Sequence, residues 1–127
     1  MIRLRHLALV LAVAGSLGTS ACGRFMHSGQ PVAQVIFANE SLDQADVYAV
    51  LTGGQSQRIG TVFAGRTETL DVPTNIISAG GTVNIVARLL AHAYAPSTGP
   101  LTLNPGDRIR VTLPATGRSL SVLPAPE

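Results

Sequence analysis

Nucleophilic and metal-binding chemistry would depend on very few side chains, because the 127-residue chain has one cysteine and three histidines. The cysteine is Cys22, and the only histidines that follow it are His27 and His92. A zinc site needs three or four nitrogen or sulfur ligands that converge on one point. The sequence therefore predicts no metal site, and it indicates no cofactor.

Serine catalysis would have its best candidate at Ser56, in the segment Gly54-Gln55-Ser56-Gln57-Arg58. In the G-x-S-x-G turn of serine hydrolases, the nucleophile sits on a sharp turn between a strand and a helix. Here Arg58 stands in place of the second glycine, and the segment falls in a predicted hairpin. We interpret Ser56 as a solvent-facing turn residue, and we predict that the protein is not an enzyme.

Four residues with oxygen-bearing side chains lie close together between the first two predicted strands. They are Asn39, Glu40, Asp43 and Asp46. A calcium loop needs several such oxygens at close, defined spacing, and this cluster does not match the EF-hand template. A polar, hydrogen-bonded turn is the favoured interpretation.

Two further polar side chains, His92 and Tyr94, fall in a predicted loop that runs from Ala91 to Pro100. They could contact a ligand there, although a loop pair without a role is the simpler interpretation. Sandwich domains that bind sugars usually stack them on exposed Trp or Tyr, and this chain has no Trp and two Tyr. Binding of a small ligand or glycan by loops at one end of the domain is therefore the alternative function.

The charge of the chain argues against a nucleic-acid partner. Nine arginines and no lysine stand against seven acids, so the formal net charge is +2. Arg3 and Arg5 lie in the first six residues, and the remainder is neutral, whereas nucleic-acid binding normally needs a basic patch. The absence of lysine also excludes Schiff-base chemistry and a Walker-type phosphate loop.

Residues 1–21 have the pattern of a secretory signal peptide. A basic start that contains Arg3 and Arg5 precedes an apolar run from Leu7 to Gly18, and small residues follow. A hydrocarbon core of about 30 Å needs roughly 20 apolar residues, so this run is too short for a stable transmembrane helix. The sequence predicts export from the cytoplasm.

The signal ends at Thr19-Ser20-Ala21-Cys22. This stretch resembles a bacterial lipoprotein signal, in which a box of small residues ends at a cysteine that becomes acylated. Thr19 stands where the family usually has an aliphatic residue. The resemblance implies lipidation of Cys22 and a membrane partner, with the acyl chains as the anchor. Ordinary secretion or a free periplasmic protein, with Thr19-Ser20-Ala21 as the cleavage site, is the alternative.

The residue after the cysteine bears on the location of the anchor. In enteric lipoproteins an aspartate at that position retains the protein in the inner membrane, and here it is Gly23. The resemblance therefore implies a location in the cell envelope, at the outer membrane and facing the periplasm. Residues 23–31 contain Gly, Ser and Pro without periodicity, so with Cys22 they are predicted to form a flexible tether.

From Val32 to Leu123, short runs rich in Val, Ile, Thr, Phe and Tyr are separated by turn residues every 8 to 12 positions. This spacing is typical of an all-β sandwich or barrel. We predict one small antiparallel β-sandwich of seven or eight strands, followed by a tail at 124–127. The strand number resembles immunoglobulin-like or transthyretin-like sandwiches, but the Cys-Trp-Cys pattern of immunoglobulin domains is absent.

Two segments carry specific expectations. Residues Ile85–Ala93 suit either a strand or a helix, and the β-branched run before them favours a strand. In Gln57–Phe63, alternation places Ile59 and Phe63 on one face, with Val62 on the other.

These observations together predict a non-catalytic, lipid-anchored protein of the cell envelope with a structural or protein-interaction role. An unpaired edge strand is the expected docking surface for an envelope protein partner.

Overall fold

A computed structural model describes residues 32–77 and 82–126. The predictions for the signal peptide, Cys22 and the tether lie outside these residues. Within them, no helix is long and apolar enough to cross a membrane.

The described chain contains eight strands and one helical turn. They are β1 (Ala33–Asn39), β2 (Ala45–Leu51), β3 (Ser56–Val62), β4 (Thr67–Val72), α1 (Thr74–Ile77), β5 (Val83–Leu89), β6 (Ser97–Leu101), β7 (Arg108–Leu113) and β8 (Ser121–Pro124). The strands form two four-stranded sheets, ordered β4-β1-β7-β8 and β3-β2-β5-β6. This architecture confirms the predicted all-β sandwich.

One strand pair departs from the predicted antiparallel arrangement, because β1 and β7 pair in parallel. The chain reverses direction at every connection, so any two odd-numbered strands run the same way. The connections that cross between the sheets bring β7 beside β1, and the pair must then be parallel. All other pairs are antiparallel.

The core lies between the sheets and is aliphatic apart from Phe37. Strands β2, β5 and β7 alternate as the sequence predicts, and β5 is a strand and not a helix. Burying about 25 cal/mol per Å² of apolar surface makes this alternation the main source of stability. The predicted turn at Asn104–Asp107 also forms, with the φ of Gly106 at 89°.

Two details of the sequence prediction are wrong. In β3, the pairing register shifts between Arg58 and Gly60, and this β-bulge reverses the faces of the residues that follow. Ile59 therefore packs against the core as Val62 does, while Phe63 is exposed, so Ile59 and Phe63 do not share a face as predicted. The predicted loop Ala91–Pro100 is also shorter, because Ser97–Leu101 forms β6.

The alternating strand directions give the sandwich two distinct ends. Val32 leads into β1 at one end, which we call the base, and Ala125 leaves β8 there too, bonded to Arg108 at the start of β7. Residues 40–44, 63–66, 90–96 and 114–120 connect strands at the opposite end, which we call the loop end. A seven-residue strand separates the two ends by roughly 20 Å.

Candidate functional site

The buried amide of Asn39 organises the loop end. Its Nδ2 group donates to the carbonyl oxygens of Asp43 (2.8 Å) and Val62 (3.0 Å). Its Oδ1 atom accepts from the backbone N–H of Ser41 (3.0 Å) and from the Ser41 hydroxyl (2.6 Å). All the hydrogen-bonding capacity of the amide is used, so this polar group is stable in the interior. The predicted polar turn is confirmed.

The turn that Asn39 holds presents Asp43 to a second loop. Asp43 Oδ2 lies 2.7 Å from His92 Nε2, and the His92 ring contacts the Tyr94 ring at a centroid distance of 5.2 Å. The backbone N–H of Leu90 donates to the carbonyl of Gln44 at 3.0 Å. The 40–44 and 90–96 loops are therefore joined by side-chain and backbone bonds.

Backbone strain accompanies this junction. Ala91 has a φ of 70°, in the left-handed region that residues with a Cβ rarely occupy. It is the only residue other than glycine with a positive φ among the described residues. The strained residue immediately precedes His92, so the conformation that costs energy is the one that brings the imidazole to Asp43.

The loop end also exposes large apolar side chains. Leu42 is 91% exposed, Leu90 66%, Phe63 61% and Tyr94 43%, and these are four of the five large apolar side chains exposed in the described chain. They come from three loops that the Asn39 and Asp43 bonds hold together. The result is an apolar rim, defined as these four residues, on a preorganised scaffold.

A groove on the outer face of the β3-β2-β5-β6 sheet runs toward this rim. Two adjoining depressions of about 320 and 370 Å³ share Arg88 and Ala95. The Arg88 guanidinium lies over the Tyr48 ring, with its Cζ 5.4 Å from the ring centroid. Cation–π contact of this kind holds an exposed guanidinium over an aromatic face.

The carboxylate opposite Arg88 is directed elsewhere. Asp46 is the cross-strand neighbour of Arg88, but its Oδ1 accepts from Thr61 Oγ1 at 2.6 Å and lies 4.0 Å from an Arg58 nitrogen. In residues 32–77 and 82–126, no carboxylate forms an ion pair with Arg88. The groove therefore contains an unneutralised positive charge beside an aromatic ring.

The other sequence candidates are dispersed. Ser56 is exposed at the start of β3, toward the base, whereas His92 lies in the 90–96 loop at the loop end. The side-chain oxygens of Asn39, Asp43 and Asp46 bond to Ser41, His92 and Thr61 respectively, Glu40 is exposed, and these oxygens do not converge. Among the residues that the structure describes, no three His, Cys, Asp or Glu side chains group to hold a metal ion. Within the same residues, the imidazole of His92 hydrogen-bonds to Asp43 alone.

No protein-family model and no curated protein sequence matches this chain.

Proposed function

We propose that the protein is a non-catalytic, lipid-anchored component of the bacterial cell envelope whose sandwich binds an envelope protein through the apolar rim. The observation that carries this proposal is the difference between the two ends of the sandwich. The described chain starts at the base, and the exposed Leu42, Phe63, Leu90 and Tyr94 lie at the opposite end. A lipid on Cys22 would hold the base and leave the rim accessible.

The rim has the composition of a protein-binding surface. Exposed apolar groups that gather on one part of a surface mark interaction sites, in which aromatic residues are enriched, and the rim places four such side chains at one end of the sandwich. Hydrogen bonds of Asn39 fix the 40–44 loop and the end of β3. The Asp43–His92 and Gln44–Leu90 bonds then join the 90–96 loop to the 40–44 loop. Loops that are ordered before binding lose little conformational entropy in the complex, which favours affinity.

Site-specific crosslinking in cells tests the rim. A photoreactive amino acid is placed at Leu42 of the full chain, with Gln55 in the turn between β2 and β3 at the base as the matched exposed control. We expect an adduct with a second envelope protein from position 42 and not from position 55. Equal adducts from positions 42 and 55 would refute the interaction role. So would the absence of an adduct both from position 42 and from a photoreactive residue placed at Leu90.

Metabolic labelling tests the anchor separately. The chain is expressed with labelled palmitate, with and without globomycin, and compared with the Cys22→Ser variant. We expect label and membrane association in the wild type only. A wild-type chain that takes up no label would favour plain secretion over a lipid anchor.

A small-ligand or glycan-binding role is the second candidate, and the unpaired Arg88 over Tyr48 is the observation that favours it. A ligand at 100 times its Kd adds about 2.7 kcal/mol to the free energy of unfolding. A thermal-shift screen of sugars, peptidoglycan fragments and organic acids should then raise the Tm of the wild type and not of Arg88→Gln. Equal shifts in both proteins, or no shift at all, would exclude the groove.

A further inference from the structure

We infer that the groove on the outer face of the β3-β2-β5-β6 sheet binds an extended acidic segment of the same protein that the rim binds. It rests on the proposed function and names the chemistry of that partner. The groove then holds a polypeptide, in place of the small ligand of the second candidate. The groove adjoins the rim, because the rim residue Tyr94 also lines the second of its two depressions.

The groove has the length and shape that suit an extended chain. Its two depressions follow one another from Tyr94 at the loop end to Ser56 toward the base. Asn84 lies in the same cross-strand row as Ser56, and Leu90 follows the end of β5 at the loop end, six residues and about 20 Å further along. A small-molecule site encloses most of its ligand, whereas this groove lies on an open sheet face. About six extended residues would fill it.

The charge of this sheet face favours an acidic ligand. Among the described residues, its strands carry two outward cations, Arg58 and Arg88, and one outward acid, Asp46, which leaves one positive charge in excess. The Asp46 carboxylate accepts from Thr61 and lies near Arg58, so the Arg88 guanidinium is the cation left without a counter-charge. A guanidinium presents its N–H groups as a planar fork that matches the two oxygens of a carboxylate.

The floor of the groove favours an apolar side chain two positions from the acid. The Arg88 guanidinium lies over the Tyr48 ring. Val50 follows on the same face of β2, about 7 Å along the strand, and with the half-buried Val86 it makes the floor apolar. Side chains at positions i and i+2 of an extended segment have the same spacing. A segment whose acid pairs with Arg88 therefore places its next side chain on that face over Val50.

A segment in the groove is compatible with an anchor at the base. The groove runs along the side of the sandwich, parallel to the line from the loop end to the base. A partner seated on the rim therefore extends one segment down this side, and the base stays free to face the membrane. The rim and the groove together then form one continuous interface.

Crosslinking from the groove floor is the first test. A photoreactive amino acid replaces Val86 in the full chain expressed in cells. Ile36 is the matched control, because it is also half-buried on the outer face of a central strand but belongs to the opposite sheet. We expect position 86 to crosslink the same protein as position 42, within about three residues of an Asp or Glu of that protein, and position 36 to give no adduct.

The two positions separate this inference from the proposed function. An adduct from position 42 without one from position 86 would overturn the inference and leave the rim intact. So would an attachment point that has no Asp or Glu nearby. No adduct from either position 42 or Leu90 would refute the rim itself, and the inference with it.

Charge variants of Arg88 supply the second test. We expect the yield of the position 42 adduct to fall about threefold in Arg88→Gln and further in Arg88→Glu, because the first removes the charge and the second reverses it. Arg110→Glu, which reverses an exposed arginine on a central strand of the opposite sheet, should leave the yield unchanged.

The two Arg88 variants differ in their effect on the fold. Glu at position 88 would stand opposite Asp46 as a like charge, whereas Arg88→Gln creates no such pair, and urea denaturation compares the stability of both. Yields equal to the wild type in both variants would overturn the inference. An unchanged adduct, together with a small-ligand Tm shift that Arg88→Gln abolishes, would also overturn it and assign the groove to the second candidate.

Discussion

The amide of Asn39 joins three segments of the loop end, and its removal would leave several buried groups unpaired. Asn39→Ala removes the hydrogen-bond partner of the Asp43 and Val62 carbonyls and of the Ser41 N–H. Each unsatisfied buried group costs on the order of 1–3 kcal/mol, partly relieved by water. We expect the free energy of unfolding to fall by about 2–4 kcal/mol in urea denaturation.

The matched control for this substitution is Asn104→Ala. Asn104 is exposed in the turn before β7, and its contribution there is a backbone bond from the Asp107 N–H to its carbonyl. A surface substitution of this kind changes stability by less than about 0.5 kcal/mol. Equal losses in the two variants would show that the Asn39 network does not hold the loop end.

The strained conformation of Ala91 predicts a substitution that raises the free energy of unfolding. A left-handed residue with a Cβ costs roughly 1–2 kcal/mol, and Ala91→Gly relieves that cost while adding some entropy to the unfolded chain. We expect the free energy of unfolding to rise by about 0.5–1 kcal/mol in urea. Ala93→Gly, in the same loop at negative φ, should not be stabilising. A destabilised Ala91→Gly would contradict the strain.

At the scale of elements, β3 and β4 meet at one side of the sandwich, where Gly60 of β3 lies against Leu70 of β4. A Cβ added to Gly60 would lie 2.5 Å from Leu70 Cδ2, well inside van der Waals contact. Gly60→Ala therefore forces the buried Leu70 side chain to move, which costs about 1–3 kcal/mol. Chemical denaturation should show this loss.

A double-mutant cycle separates this clash from other effects of the alanine. Leu70→Val shortens the side chain that blocks the new methyl group and by itself removes part of the core. The free energy of unfolding of the double variant should fall by about 1 kcal/mol less than the sum of the losses in the two single variants. Strict additivity would mean that the two side chains do not meet. Gly53→Ala, with nothing within 4 Å of its Cβ, is the control for glycine replacement.

The sequence predicts regular strands better than irregular ones. In β2, β5 and β7, alternation and burial coincide because no residue is inserted. In β3, the bulge before Gly60 reverses the faces, and its only local signal is a glycine inside a strand pattern. Strand β6 contains Gly99 and Pro100, which are typical of a loop. The segment nevertheless forms a strand because it pairs with β5.

The loop end could be predicted only in part, because its contacts depend on topology. The polar turn near Asn39 is local and follows from its composition. Asp43 and His92 lie 49 positions apart, and only the pairing of β2 with β5 brings their loops together. The parallel β1–β7 pair is likewise a product of chain crossing, which strand patterns do not encode.

At the scale of the whole molecule, both ends of the described domain lie at the base. The Gln34 N–H bonds to the Asp107 carbonyl, and the Ala125 N–H bonds to the Arg108 carbonyl, so the two ends flank the start of β7. An anchor at either end of the domain would hold the same side of the sandwich. The role of the proposed lipid anchor can therefore be tested separately from its position in the sequence.

We expect a C-terminal anchor to replace the proposed N-terminal lipid anchor. In a Cys22→Ser chain with a transmembrane helix joined after Glu127, the base again lies nearest the membrane and the rim stays accessible. The partner adduct from the photoreactive residue at position 42 should then return to within about twofold of the wild-type yield, and Cys22→Ser without the helix should lack it. A re-anchored protein that reaches the same membrane and gives no adduct would show that the acylated N-terminal segment contacts the partner itself, because every bond that positions Leu42 is retained.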